Sequence, residues 1–289
     1  MAKYGSALFG LCCSIVSMLF LSTCSSSMQD VETVSERGAL FIIGGGDRST
    51  EMMQEMIRLS GWAEGDTFVL ITLPSGWGDS AYIWLDEEFF ALTGAHGICF
   101  DSASVRDEKK LDALRHARFI FISGGDQNVM MDRIADTDVK HILQDAYQHG
   151  ALIAGTSAGA SIMSEKMISG NSLRDTAYAS TLSALWKNNL ELKEGLGLLD
   201  SIIIDQHFIV RSRYNRLISA VLENPDYAGV GIDEATALYV HNDSATVFGS
   251  GQVLYFPPLH MQQTDTLLLN GRDIRFSIFI PGEKFALEN

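Results

Sequence analysis

The strongest constraint on this chain is a regular alternation. Short, continuous apolar runs are separated by longer segments whose apolar residues recur at helical spacing. Residues 39–43, 67–73, 97–100, 118–123 and 151–154 are the runs; residues 49–59, 81–92, 111–115 and 139–148 are the segments between them. In the first of these segments Met52, Met53, Met56 and Ile57 fall on one helical face. A strand apolar on both sides is buried on both sides, and strands of that kind alternating with helices form a parallel sheet covered on each face. The expected fold class is therefore α/β: a doubly wound, mostly parallel sheet with helices on both faces. An apolar fraction of 46% suffices for such a core and excludes global disorder. No internal repeat is visible.

Charge narrows the partners. Asp and Glu number 36 against 21 Lys and Arg, a formal net charge of -15. A phosphate backbone is repelled by such a surface, so no nucleic-acid partner is expected. The four cysteines are unevenly placed: Cys12, Cys13 and Cys24 lie in the first 24 residues, and only Cys99 lies in the body. Lys3 precedes an apolar stretch of about 15 residues, shorter than the roughly 20 that a spanning helix needs. It ends in Leu21-Ser22-Thr23-Cys24, which resembles a bacterial lipoprotein signal with Cys24 as the lipidated residue; Thr23 departs from the usual small residue there. The expected organisation is a signal peptide over 1–24, a polar tether over 25–37, and export to a periplasmic or extracellular membrane face. An ordinary cleaved signal and an uncleaved anchor are the alternatives. Cys99, in Gly97-Ile98-Cys99-Phe100, is expected to be an inert core thiol.

In parallel α/β sheets the chemistry sits beyond the carboxyl ends of the strands. There the segment Ala154-Gly155-Thr156-Ser157-Ala158-Gly159-Ala160 reads strand, Gly-x-Ser-x-Gly, helix, the arrangement of a nucleophile elbow. The glycines leave room for a strained turn that lifts Ser157 Oγ clear of the sheet. The helix start and the Ala158 N–H are then placed to stabilise an oxyanion. A serine nucleophile needs a base, and His207 ends the apolar run 201–204 in Asp205-Gln206-His207-Phe208. His96, His116, His141 and His149 read as surface or capping residues, and His241 and His260 lie in a later β-rich stretch. Arg211, Arg213 and Arg216 follow His207, dense for a chain short of arginine, and could bind a substrate carboxylate or form ion pairs.

These residues carry a family resemblance. Gly44-Gly45-Gly46, Gly124-Gly125-Asp126-Gln127, the Ser157 elbow, Gly195-Leu196-Gly197-Leu198-Leu199, Asp205-Gln206-His207-Phe208 with its arginines, and Gly231-Ile232-Asp233-Glu234-Ala235-Thr236-Ala237-Leu238 occur in order over about residues 39 to 240. The ordered set resembles the cyanophycinase and dipeptidase E family of serine peptidases, the cyanophycinase branch more closely. The resemblance implies a fold similar to class I glutamine amidotransferases, one catalytic domain over 38–289, and a Ser-His-acid triad that uses no metal and no cofactor. It implies Gly125 and Ala158 as oxyanion donors, and Gln127, Asp205, Gln206, Arg211, Arg213 and Arg216 as pocket residues. The substrate it implies is cyanophycin, a polyaspartate with arginine on each β-carboxyl, or a related β-aspartyl peptide.

The resemblance places the triad acid shortly after the nucleophile helix. Asp175 is taken over Glu165, read as still helical, and over Glu191 and Glu194; Asp233 and Glu234 are assigned a structural role. Residues 75–80 and 176–193 depart from the family's pattern, which bears on substrate more than on reaction. A homodimer is a further expectation. Two other readings stand beside the peptidase: an α/β-hydrolase esterase using Ser157 with His241 or His260, and a lipoprotein that binds peptides on a decayed peptidase scaffold.

Overall fold

A computed structural model of the chain describes residues 37–174, 182–260 and 266–287. The proposed signal, Cys24 and Asp175 lie outside the described residues. No helix among the described residues is long and apolar enough to cross a membrane.

The first half follows the alternation seen in the sequence. Strand β1 (Ala39–Ile43) leads to α1 (Thr50–Ser60), β2 (Phe68–Ile71), α2 (Asp79–Thr93), β3 (Ile98–Phe100), α3 (Glu108–Arg115), β4 (Phe119–Ile122), α4 (Gln127–Ile134), α5 (Val139–Gln148) and β5 (Leu152–Thr156). Local chemistry sets the ends of these helices. Ser49 Oγ accepts the Met52 N–H at the start of α1, and Gly61 closes that helix at φ +63°. Asp107 caps α3 by accepting from the Lys109 and Lys110 N–H groups.

The second half is different. A one-turn helix α6 (Ala158–Ser161) gives way to the hairpin β6 (Lys166–Ser172) and β7 (Leu190–Glu194). Then come β8 (Ile202–Gln206), α7 (Tyr214–Glu223), β9 (Ala228–Ile232), β10 (Thr236–His241), β11 (Ser244–Gly249), β12 (Val253–Phe256), β13 (Ser277–Phe279) and β14 (Lys284–Ala286). Two main sheets result. The larger has the order β14-β11-β10-β1-β5-β4-β2-β3, parallel from β1 to β3 and antiparallel where β10 meets β1, β11 meets β10 and β14 meets β11. The smaller has the order β13-β12-β9-β8, with β8 and β9 parallel.

Alternate residues of the central strands point to opposite faces, so each strand contributes to two cores. Phe41 and Ile43 join Met52, Met53, Met56 and Phe89 from α1 and α2. Leu40 and Ile42 join Leu111 and Leu143 from α3 and α5, and also Ile202, Ile204, Val230 and Ile232 of the smaller sheet. That sheet's other face, including Ile203 and Leu254, packs on Leu217 and Val221 of α7. Each large side chain taken fully out of water contributes about 1.5–3 kcal/mol before entropy is counted. The mostly parallel, doubly covered sheet is the architecture expected. The second sheet, stacked where a helix would be anticipated, is what carries His207 to the site.

Candidate active site

Register places Ser157. Thr156 at the end of β5 lies opposite Ile43 of β1, and Gly155 lies opposite Ile122 of β4. Ser157 therefore emerges between two glycine turns, Gly44-Gly45-Gly46 after β1 and Gly124-Gly125 after β4. Its backbone is at φ 54° and ψ -109°, a conformation that L side chains rarely adopt. Both glycines of the motif are sterically required. A Cβ on Gly155 would lie 2.4 Å from Gly159 O, and one on Gly159 would lie 2.4 Å from Ile122 O. The helix that follows is shorter than the sequence suggests, ending at Ser161, so its dipole is that of a single turn. Glu165 is accordingly not helical; its carboxylate accepts from Tyr227 Oη at 2.8 Å.

Ser157 Oγ lies 2.9 Å from His207 Nε2. The imidazole's other nitrogen, Nδ1, donates to Glu234 Oε1 at 2.5 Å. A carboxylate on Nδ1 fixes the tautomer that leaves Nε2 free to accept the serine proton. His207 follows β8 and Glu234 follows β9; these strands are parallel, with Gln206 opposite Ile232, so the two residues leave the smaller sheet side by side. The turn after β1 accommodates them. Gly44 O accepts the His207 N–H at 2.7 Å, Gly45 O accepts the Ala235 N–H at 2.9 Å, and a Cβ on Gly45 would come within 2.3 Å of the imidazole. The His207 side chain is largely buried. Burial pushes its pKa below the ordinary 6.5, the Glu234 hydrogen bond opposes that shift, and the Arg211 charge adds to it.

The oxyanion donors expected from the sequence flank the same point. Gly125 sits at φ +141° with its backbone pressed on Pro74 and Ser75, and Gly124 lies close enough that a Cβ there would be 3.5 Å from Ser157 Cβ. Neither the Gly125 nor the Ala158 N–H donates to a backbone carbonyl among the described residues outside regular elements.

The six expected pocket residues divide into two groups. Arg211 stays half exposed with Nε 4.0 Å from Glu234 Oε1, and Gln206 Oε1 is 3.5 Å from Ser157 Oγ. The others are held in the scaffold. Fully buried Asp205 receives Arg216 through two hydrogen bonds, one of them Nε to Oδ2 at 2.8 Å, and Arg213 donates to Gln206 O at 2.6 Å. Gln127 donates to Ile168 O and Ser169 O at 2.9 and 3.0 Å. Asp233 accepts the N–H groups of Ile209 and Val210, both at 3.0 Å, and so pins the chain just after His207.

The carboxylate at His207 was the residue that sequence reasoning set aside. Asp175 is outside the described residues, while Glu191 accepts from Ser169 and Asn171 and Glu194 pairs with Lys140. The available signal was strand pairing: Glu234 follows the strand that neighbours the one leading to His207. His241 pairs with Ala39, at the opposite end of β1 from Ile43 and Ser157. His260 is exposed, 3.7 Å from Asp226. Cys99 is partly buried on β3, and burial pushes its thiol up, away from the reactive range.

Comparison with known proteins places the chain in a family. The model of peptidase family S51 matches residues 87–248. The chain belongs to peptidase family S51. A cyanophycinase of Trichormus variabilis is 29% identical over 268 residues, covering 86% of this chain and 85% of the relative. One from Synechococcus elongatus is 30% identical over 236 residues, covering 79% and 71%. A peptidase E of Actinobacillus pleuropneumoniae is 26% identical over 173 residues, 57% of this chain and 68% of the relative. The crystal structure of a peptidase from an acI-B1 Actinobacterium superposes with a TM-score of 0.62 at 20% identity, covering 88% of this chain and 98% of that one, which speaks to the fold. Membership makes the protein a serine-type peptidase, a hydrolase.

Proposed function

We propose that this S51 peptidase hydrolyses β-aspartyl peptides, cyanophycin among them, with Ser157, His207 and Glu234 as its triad. The observation that carries the reading is the continuous hydrogen-bonded line from Ser157 Oγ through both imidazole nitrogens to Glu234. Ser157 Oγ attacks the scissile carbonyl carbon while its proton passes to His207 Nε2. The carbonyl oxygen, now an oxyanion, is held by the Gly125 and Ala158 N–H groups. The imidazolium, stabilised by Glu234, gives the proton to the leaving amine, and the C–N bond breaks. Water then repeats the sequence on the acyl-enzyme and frees the new carboxylate. Arg211, half exposed beside the triad, is positioned to receive a carboxylate of the substrate.

The substrate class draws support from the cyanophycinase relatives, and the test is direct. The described domain and its Ser157→Ala variant are incubated with cyanophycin and a panel of β-aspartyl dipeptides. Cleavage by the parent alone is expected; cleavage that survives in Ser157→Ala removes the mechanism. Glu234→Gln is expected to lower kcat by roughly 10²–10⁴-fold, with Asp175→Asn costing far less. A larger loss in Asp175→Asn assigns the acid to Asp175 instead. The Leu21-Ser22-Thr23-Cys24 sequence supports export and anchoring through Cys24. Metabolic labelling with a fatty-acid probe that is lost in Cys24→Ala is the expected result.

A further inference from the structure

Against the turns that flank Ser157, and lined by Thr156 and Gly124, lies a cavity of about 370 Å³. That is room for one large side chain, at the lower end of small-ligand pockets. Its floor is part of the catalytic turn itself. Thr156, immediately before the nucleophile, and Gly124, immediately before the proposed oxyanion donor, both line it, as does Ser75, which packs on Gly125. The outer wall is the start of α2 and the loop before it. There Trp77 and Trp84 face each other with ring centroids 5.9 Å apart and an interplanar angle of 58°. Both are exposed, at 71% and 57%. Two neighbouring indoles left in water next to a nucleophile are an unusual use of apolar surface and mark a binding site.

The charges in the wall cancel. Arg48 and Glu88 are its only ionised lining residues, and they engage each other through two hydrogen bonds, one of them Nε to Oε1 at 3.1 Å. Glu88 therefore has both oxygens committed, and an entering guanidinium or ammonium would meet Arg48. A carboxylate would meet Glu88. What remains is a neutral slot with aromatic walls.

We propose that this cavity is a specificity subsite that takes an aromatic or large apolar side chain from the residue beside the scissile bond. The proposal rests on the peptidase reading above and ranks β-aspartyl peptides bearing such a residue above cyanophycin, which offers only aspartyl and arginyl side chains. Trp77 and Trp84 are the residues that select it.

Binding is measured on the Ser157→Ala protein, which cannot turn the peptides over. The probes are β-aspartyl isopeptides that differ at one residue, Phe, Ala or Arg, prepared in two series with that residue either on the leaving side of the isopeptide bond or joined to the aspartyl α-amino group. In one series the Phe peptide is expected to bind at least about tenfold more tightly than the Ala and Arg peptides, the scale of one buried ring. Adding Trp84→Ala or Trp77→Ala is expected to reduce that ratio to about twofold. Thermal unfolding of each variant establishes that these exposed positions leave the fold intact. Equal binding of Phe and Ala, preference for Arg, a ratio that survives both tryptophan substitutions, or no binding at millimolar concentration each overturn the subsite. A fluorophosphonate probe on the parent protein reads the peptidase separately. Failure to label Ser157 with Phe selectivity intact removes the peptidase reading and keeps the subsite; labelling without selectivity does the reverse.

Discussion

Glu234 and Arg211 act on His207 in opposite directions, and burial outweighs the carboxylate. The imidazole therefore stays neutral to lower pH than a free histidine, which is the state a general base requires. The acid limb of kcat/KM is expected to have its midpoint below 6.5. Arg211→Gln removes a nearby positive charge, so that midpoint should move upward; a pH profile of the two proteins checks the sign. Stability follows from the same shift. The unfolded chain takes up a proton as pH falls through about 6.5 while the folded chain does not. This contribution is present above 6.5 and is lost as pH falls toward the native pKa, and below that value it changes no further. At this scale the sequence was most legible where one residue's surroundings are local. The elbow at Ser157 could be read from its two glycines and the strand before it. Glu234 could not, because its partner is 27 residues away and meets it only through the pairing of β8 with β9.

Among the connecting turns, the one after β1 does the most to shape the site. Gly45 is at φ +106°, and a Cβ there would come within 2.3 Å of the imidazole Cε1 of His207. Gly45→Ala puts a methyl group into the ring and a Cβ on a strained backbone, so a loss of about 1–3 kcal/mol in stability is expected, together with a large loss of activity. Gly124→Ala is the informative contrast, since a Cβ there meets nothing closer than 3.5 Å and φ is not positive. Its expected cost is within about 1 kcal/mol. Chemical denaturation of the two variants separates steric need from mere glycine content. The same contrast explains what could be read among the elements. β1, β2, β4 and β5 are continuous apolar strands buried on both faces, β3 is an apolar edge strand, and α1, α2 and α5 have matching helical periods, so they were visible. The second sheet was not. β9 is Ala228-Gly229-Val230-Gly231-Ile232, whose glycines make room for Val221 and Leu217 of α7 and for Phe208. A packing demand of that kind has no signature in periodicity.

On the scale of the whole molecule, the two sheets are clasped by the last strands. β13 belongs to the smaller sheet and β14 to the larger, yet Phe279 and Phe285 stack with centroids 3.9 Å apart and rings within 3° of parallel. Tyr255 of β12 meets Phe285 at 5.4 Å. Deleting residues 277–289 removes this clasp and uncovers the edges of β11 and β12. A loss of about 2 kcal/mol, equivalent to roughly 4–8 °C in midpoint, is expected. kcat should fall as well, although the deleted segment touches neither Ser157 nor His207; calorimetry and an activity assay on the truncated protein check both.

Ser157 hangs from the larger sheet, and His207 and Glu234 leave the smaller one. The chain is made in order, so Ser157 exists for 50 residues before the proposed base and 77 before the proposed acid. Until both are synthesised and the second sheet has docked, Oγ is an ordinary alcohol. A nascent or partly unfolded copy thus presents no working protease to its neighbours. On the proposed triad, hydrolysis requires both sheets to be docked and is lost when they part.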